Sequence, residues 1–154
     1  MLLWTVFIVG SSRTVSIAAA KDEIKDHGGY NFKCHRGPRG EAFCVNAIDM
    51  QPDSAAPMPT RTAIHRDIFA TGASNGTIVY WNRAARKRAC DKFVGRTGTP
   101  ISALRFDPSG LYLAYAHGYD WSRGHSGGTR PECRPEATSL HIHNVAEAEF
   151  VVQQ

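Results

Sequence analysis

Apolar and polar residues alternate most clearly between residues 68 and 82. Two runs rich in β-branched and aromatic residues, Ile68–Ala73 and Thr77–Asn82, are separated by Ser74-Asn75-Gly76. Alternation with a period of two places successive side chains on opposite faces of a strand. Asn-Gly is the dipeptide that favours a type I′ hairpin turn, because both central residues of that turn have positive φ. This segment therefore predicts a β-hairpin with a type I′ turn.

Two further segments repeat this pattern. Phe7–Ile17 carries Gly10 at the position of Gly72, although its turn is one residue shorter. Leu113–His117 begins a third copy, which Ser139–Asn144 completes after a long insertion. The chain therefore predicts three related hairpins.

A further strand is predicted before the second and the third hairpin, at Val45–Met50 and Ile101–Phe106. These strands begin 56 positions apart (101 − 45), whereas a usual propeller repeat has roughly 40–45 residues. The excess lies in residues 53–66, and residues 122–138 form a similar insertion in the next repeat. Insertions confined to loops are expected of stacked repeats. We therefore predict an all-β fold, a β-propeller.

The repeat predicts that residues 1–154 form one partial propeller domain with three parts. The parts are residues 3–18 as the end of one blade, residues 28–96 as a middle blade with the long loop 53–66, and residues 97–150 as a last blade with the loop 122–138. A closed propeller has about four to eight blades, so this segment would leave sheet edges unpaired. We therefore expect a partial propeller from a longer protein, with Met1 at the start of a strand.

The apolar run Met1–Val9 has two interpretations. It is too short to span a bilayer, so no membrane insertion is expected. The run favours a buried strand, because it is rich in Trp, Val, Phe and Ile and ends at Gly10. The alternative is a signal peptide ending near Ala18–Ala20, which would indicate a small secreted enzyme or lectin, although no basic residues precede the run.

Composition and residue spacing exclude several kinds of site. A hydrophobic fraction of 42% and a charged fraction of 21% are typical of a globular protein. The four cysteines form no C-x-x-C pair, so we expect reduced thiols in an intracellular protein, without a metal site or cofactor. His141 and His143 share a strand face without an obvious third ligand. Asp120, Ser122 and His125 lack a nucleophile-elbow motif, so we expect no enzyme.

The densest positive charge follows the second hairpin. The net charge is +4, compatible with a polyanionic or acidic partner without requiring one. The cations concerned are Arg83, Arg86, Lys87, Arg88, Lys92 and Arg96, opposed by Asp91. Loops at strand ends form the rims of a propeller, where partners bind. A second basic cluster comprises Lys33, His35, Arg36 and Arg39, in which we expect His35 to make structural hydrogen bonds.

Three motifs carry a resemblance to a known family. Tyr30–Arg36 (YNFKCHR) resembles a signature shared by nuclear-pore-associated mRNA export factors and spindle-checkpoint propellers, both WD-repeat proteins. Tyr119–His125 (YDWSRGH) and His143–Glu149 (HNVAEAE) resemble the export factors in particular. The resemblance begins near Gly10 and implies the last two-fifths or so of a seven-bladed member, hence about two and a half blades. The chain has Trp81-Asn82 where the family usually has Trp-Asp.

The resemblance implies a partner-binding groove and a set of partners. The groove residues would be Tyr30, Phe32, Trp81, Asn82, Arg83 and Arg86, with Arg36 as an open extension. Arginine pairs with carboxylates and phosphates, and aromatic rings stack on bases or hold an apolar anchor. The implied partners are a nucleoporin GLEBS-type segment and RNA or another polyanion. The implied locations are the nucleus and nuclear pore complex, and also the cytoplasm.

Two alternatives to this interpretation stay open. Trp81 and Phe32 could instead pack between blades, with the arginines forming a solvated rim. The protein could also be a spindle-checkpoint scaffold that binds checkpoint kinases at kinetochores, which the run Arg86–Cys90 favours slightly.

Overall fold

The structure is a computed structural model of the chain of 154 residues. The residues it describes are 4–7, 14–19, 30–52, 68–89, 93–94, 99–122, 124–129 and 138–145. They belong to two units, Met1–Val45 and Asn46–Gln154. The predicted loop 53–66, most of the second half of loop 122–138, and Cys90 and Cys133 lie outside the described residues.

The first unit contains an antiparallel sheet of three strands. Strands β1 (Trp4–Phe7), β2 (Thr14–Ala19) and β3 (Tyr30–Lys33) follow one another in the sheet, with Phe7 opposite Ser16. The N-terminal hairpin predicted from the repeat is therefore confirmed. The hydrogen bonds attach β3 to this first sheet, whereas the repeat assigned residues 28–96 to the middle blade. The first sheet thus includes one strand, β3, that the repeat assigned to the middle blade.

The second unit contains two antiparallel sheets. The middle sheet has the order β4-β5-β6-β7, and β8 also pairs with β6. Its strands are β4 (Val45–Met50), β5 (Ile68–Ala73), β6 (Thr77–Asn82), β7 (Lys87–Arg88) and β8 (Phe93–Val94). The last sheet has the order β11-β10-β9. Its strands are β9 (Ile101–Phe106), β10 (Tyr112–His117) and β11 (Ser139–Asn144).

The hydrophobic core of the second unit lies between these two sheets. Alternate residues of β5 and β6 share one face of the middle sheet, because Ala70 lies opposite Tyr80 and Gly72 opposite Ile78. That face packs against residues of β9 and β10 in the last sheet. The buried core comprises Ile68, Ala70, Ile78, Tyr80, Ala89, Ile101, Leu104, Phe106, Leu113, Tyr115 and Val145. The alternation of side chains therefore gives the middle sheet an apolar face, and this face packs against the last sheet.

Gly72 marks the closest approach of the two sheets. A Cβ atom at this position would lie 2.5 Å from Ile101 Cγ2 and 3.0 Å from Leu104 Cδ2. Because no real Cβ atom sits so close to another carbon, only glycine lets β9 pack at this distance.

The turn between β5 and β6 differs from the prediction. The Gly76 N–H donates to Ala73 O at 3.0 Å, and Gly76 has φ of 79°, but Asn75 is not among the residues with positive φ. The type I′ prediction was therefore wrong. Asn75 Oδ1 instead accepts hydrogen bonds from the N–H and the hydroxyl of Thr77, at 3.2 and 2.7 Å. This Asx arrangement satisfies the turn with only one left-handed residue, the glycine.

Polar side chains of β4 bind the backbone of the last sheet. Asn46 Nδ2 donates to Ile101 O at 3.2 Å, and Asp49 Oδ2 accepts the Phe106 N–H at 2.8 Å. Beyond the strand, Gln51 Nε2 donates to Gly110 O at 3.0 Å and is buried. These bonds pair backbone groups that the stacking of the sheets would otherwise leave without water.

The fold is a partial β-propeller built from antiparallel sheets of related sequence. One short helix, α1 (Gly124–Gly128), lies within the predicted insertion 122–138 among the residues that are described. The helix was not predicted, since its glycines are poor helix formers. In the part of the chain that the structure covers, no helix is long and apolar enough to cross a membrane.

Candidate partner-binding surface

The turn after β6 and the short strand β7 that follows it are rich in basic residues. We call these residues, 83–88, the basic turn. Asn82 Oδ1 accepts the Ala85 N–H at 2.7 Å, which closes the chain on itself directly after β6. Arg86 has φ of 54° and is exposed, as are Lys87 and Arg88, while Arg83 is partly exposed. The basic turn therefore presents four cations on one tight reversal of the chain.

Asn82 replaces the aspartate that the repeat pattern usually has at this position. Its side-chain oxygen still accepts the hydrogen bond of the turn, so the amide supplies the same acceptor geometry as a carboxylate. Asn82 is itself buried. Asn82 therefore shapes the basic turn through the hydrogen bond that it accepts from Ala85.

Trp81 is held inside the middle sheet. Its exposed fraction is 7%, its Nε1 donates to Thr71 Oγ1 at 2.8 Å, and its ring stacks on Phe69 at 6.4 Å between centroids. The guanidinium of Arg88 lies 5.6 Å from the ring centroid. A cation over an indole face is attracted by the ring quadrupole. Trp81 is therefore fixed in the sheet directly before the basic turn, and the Arg88 guanidinium lies near its ring.

The predicted groove residues belong to both units of the chain. Tyr30, Phe32 and Arg36 lie in Met1–Val45, whereas the remaining groove residues lie in Asn46–Gln154. Phe32 is partly exposed, and Arg36 is exposed and forms a bridge with Ala42. The structure brings together Trp81, Asn82, Arg83 and Arg86. The larger groove stays a prediction, and Lys92 and Arg96 of the predicted charge cluster lie outside the described residues.

The second basic cluster forms a structured turn after β3. His35 is buried with φ of 46°, and its carbonyl accepts the Phe43 N–H at 3.1 Å. Arg39 makes an ion pair with Glu41 at 3.3 Å. The burial of His35 fits the structural role expected from the sequence, and the exposed cations of the cluster are Lys33, Arg36 and Arg39.

An exposed aromatic residue follows β10. Trp121 is 65% exposed, has φ of 58°, and lies against Tyr119 with 5.5 Å between ring centroids. The loop is fixed by Asp120, whose two carboxylate oxygens accept hydrogen bonds from Asn46 Nδ2 and the Ser122 N–H. The sequence singled out this motif by resemblance, but its pattern gave no sign that Trp121 would be exposed.

Histidines and a tyrosine form a cluster on the core side of the last sheet. His117 is buried with Nδ1 3.0 Å from Thr99 O, and the His141 ring stacks on Tyr115 at 5.1 Å. Burial raises the pKa of Tyr115. His141 Nε2 lies 2.8 Å from Ser139 Oγ. Among the described residues, no three histidine, cysteine or acidic side chains are placed to hold a metal ion.

Several known proteins are similar in sequence to this chain. The mRNA export factor GLE2 of Chaetomium thermophilum is 34% identical over 112 residues, which are 70% of this chain and 28% of the relative. The mRNA export factor rae-1 of Caenorhabditis elegans is 32% identical over 86% of this chain and 30% of its own length. The WD40 repeat protein poxJ of Penicillium oxalicum is 28% identical over 77% and 32%.

The chain spans about a third or less of the length of these relatives. No protein-family model matches it. Among solved structures, the β-propeller domain of Cps50 (Swd1) from Myceliophteria thermophila matches with a TM-score of 0.38 and 15% identity, over 84% of this chain and 41% of that one.

Proposed function

This chain is a partial WD-repeat β-propeller similar in sequence to mRNA export factors, and we propose that it serves mRNA export as a non-catalytic scaffold. The observation that carries the proposal is this similarity, which extends over 86% of the chain in one relative named as an mRNA export factor. The scaffold would act in the nucleus at the nuclear pore complex, and also in the cytoplasm.

The proposed partner is a nucleoporin segment of the GLEBS type. The described residues best suited to hold a short acidic segment are the cations of the basic turn, because guanidinium groups bind carboxylates in a bidentate manner. Arg83 lies within, and Arg86 directly after, a reversal fixed by the hydrogen bond from the Ala85 N–H to Asn82 Oδ1. A turn fixed in this way loses little conformational entropy when a partner binds.

Tyr30, Phe32 and Arg36 of the first unit stay proposed binding residues in their own right. There, the aromatic residues would hold an apolar anchor of the segment, and Arg36 would supply positive charge. Because Trp81 and Asn82 are buried, they would act mainly by fixing the start of the basic turn. The exposed charges would then dominate the association rate and its dependence on salt.

Binding of the purified chain to a synthetic GLEBS-type segment tests this proposal. The variant Arg83→Gln with Arg86→Asn removes two charges while keeping a residue that tolerates the left-handed backbone at position 86. We expect it to weaken binding by about tenfold or more and to flatten the salt dependence. Arg105→Gln is the matched control, because it removes an exposed cation elsewhere in the second unit.

Three outcomes would contradict the proposal. The first is a lack of binding by the wild-type chain, and the second is an equal loss in the control variant. The third is binding to a checkpoint kinase with none to the nucleoporin segment, which would favour the spindle-checkpoint scaffold. Binding of single-stranded RNA that is lost in the same double variant would assign the basic turn to a polyanion instead.

A further inference from the structure

Asn82 lies at the point where β6 passes into the basic turn. Its Oδ1 accepts the Ala85 N–H at 2.7 Å, and the residue is buried. Asn82 also pairs with Lys87 of β7. Directly opposed residues of antiparallel strands have Cβ atoms about 4.5–5.5 Å apart on the same face of the sheet. The side chain that fixes the turn therefore lies beside one of its cations.

The hydrogen-bond acceptor at position 82 carries no charge. A carboxylate could accept the Ala85 N–H in the same way. It would, however, place a negative charge beside Lys87 and offset one of the cations of the basic turn. Residues 83–88 themselves include four cations and no acidic side chain. The amide oxygen of Asn82 therefore fixes the turn without reducing its positive potential.

The basic turn suits an acidic peptide better than a single-stranded nucleic acid. Proteins that bind single strands without sequence preference combine basic residues with aromatic rings on which the bases stack. Trp81 is buried, and residues 83–88 contain no aromatic side chain. Guanidinium groups such as those of Arg83 and Arg86 bind carboxylates through paired hydrogen bonds and need no stacking partner. The chemistry of this turn therefore favours glutamate and aspartate side chains as ligands.

We infer that Asn82 determines the selectivity of the basic turn for an acidic peptide. The amide holds the turn in place, and the absence of charge on it spares an acidic ligand from repulsion. Because Asn82 is buried, it acts as a positioning residue. The inference rests on the proposed function in that it assigns partner binding to the basic turn, but it holds for any acidic segment. A charge added at position 82 should therefore weaken binding while the fold stays intact.

Fluorescence anisotropy with the purified chain and a fluorescein-labelled octaglutamate peptide tests the inference. At an ionic strength of about 0.1 M, Asn82→Asp should raise the dissociation constant by about threefold or more, because a negative charge is added beside the bound carboxylates. The dissociation constant of this variant should also depend less steeply on salt than that of the wild type. Asn82→Ser keeps a neutral oxygen acceptor and should bind the peptide about as tightly as the wild type.

Asn75→Asp is the matched control. Asn75 Oδ1 accepts the Thr77 N–H at 3.2 Å, so both substitutions exchange an accepting amide for a carboxylate. Asn75 precedes β6 and Asn82 ends it. At a rise of about 3.3 Å per residue the two positions are about 20 Å apart, which is about twice the Debye length at 0.1 M. Asn75→Asp should therefore change the dissociation constant by less than about 1.5-fold.

Several results would overturn the inference. Equal binding by the wild type and Asn82→Asp, or an equal loss in Asn75→Asp, would show that the charge at position 82 has no special effect. A loss in Asn82→Ser as large as in Asn82→Asp would show that the shape of the turn matters instead of its charge. Circular dichroism should show that Asn82→Asp is folded, and an unfolded variant would count against the inference, since a carboxylate must fit at this position.

The choice of ligand separates this inference from the proposed function. Binding of oligouridylate without binding of octaglutamate would assign the basic turn to nucleic acid and overturn the inference. A GLEBS-type segment that does not bind would contradict the proposed function alone, provided that octaglutamate binds and distinguishes Asn82→Asp from the wild type. Octaglutamate binding that ignores position 82 would overturn the inference even if the GLEBS-type segment binds.

Discussion

The indole Nε1 of Trp81 lies 2.8 Å from Thr71 Oγ1 and donates a hydrogen bond to it between neighbouring strands. Thr71 in turn donates to Val79 O at 3.4 Å, and both Thr71 and Trp81 are buried. A buried indole N–H needs an acceptor, and the hydroxyl of β5 supplies it. Trp81, near the end of β6, therefore links β6 to β5 by a side-chain hydrogen bond, directly before the basic turn.

Replacing Thr71 by valine should destabilise the chain. Valine keeps the shape of threonine but leaves the Trp81 N–H buried without this acceptor, which costs about 1–3 kcal/mol in the free energy of unfolding. Urea denaturation followed by tryptophan fluorescence measures the change. Ser102→Ala is the control, because the exposed Ser102 hydroxyl donates a long hydrogen bond of 3.3 Å to Ala116 O. Its loss should lower the free energy of unfolding by less than about 0.5 kcal/mol. Equal effects of both substitutions would contradict the assigned role of Thr71.

Asn82 should tolerate aspartate but not alanine. Asn82→Asp keeps the oxygen that accepts the Ala85 N–H, so its free energy of unfolding should lie within about 0.5 kcal/mol of the wild type or above it. Asn82→Ala removes the acceptor and should cost about 0.5–1.5 kcal/mol. Thermal and urea unfolding of the two variants compare them directly. A loss of similar size in both would show that the amide nitrogen, rather than the oxygen, matters.

Gly72→Ala should disrupt the packing between the two sheets. The added methyl group would lie 2.5 Å from Ile101 Cγ2, and overpacking of this kind costs about 1–3 kcal/mol. The double variant with Ile101→Ala should lose less stability than the sum of the two single variants, because the clash is removed. Gly118→Ala serves as control, since its nearest neighbour would be Ser102 Oγ at an ordinary 3.4 Å. Strict additivity would argue against the close approach.

Asp107 should contribute stability that depends on pH. Burial alone would raise the pKa of Asp107, but hydrogen bonds from the Ser109 side chain and from the backbone of Tyr112, Ser109 and Leu111 lower it below the usual 3.8. Since the folded pKa lies below the unfolded one, the ionised group stabilises the fold above the unfolded pKa, and this is lost as the pH falls through the folded pKa.

The test compares Asp107→Asn with the wild type from pH 7 down to strongly acidic conditions. The wild type should be more stable near neutral pH, and the difference should shrink as the pH falls below about 4. A difference that stays constant with pH would show that the carboxylate charge plays no part.

Much of the fold could be predicted from the alternation of side chains. Val45–Met50 and Ile101–Phe106 begin and end where the pattern placed them. Leu104 and Phe106, two positions apart in β9, both lie in the core. Residues 30–33 belong to the motif Tyr30–Arg36 and were not predicted as a strand, because their pairing with β2 depends on a contact distant in sequence. The prediction of a type I′ turn was wrong, because Asn75 accepts a hydrogen bond from Thr77 with its side chain and does not adopt a positive φ.

The site could be predicted only in part. Charge density located Arg83 and Arg86, and the structure places both on one turn. The burial of Trp81 could not be decided from sequence, since a tryptophan at a strand end suits both a packed sheet and a binding surface. The exposure of Trp121 and the left-handed backbone of Arg86 depend on local loop geometry that residue type alone does not reveal.

The polar contacts of β4 have a consequence for the order of events during synthesis. Asn46, Asp49 and Gln51 leave the ribosome more than fifty residues before their partners at Ile101, Phe106 and Gly110 (separations of 55, 57 and 59). Until those partners emerge, water must satisfy the three side chains, and the apolar face beside them has no cover. The middle sheet of the nascent chain therefore completes its packing only when β9 and the turn after it have left the exit tunnel.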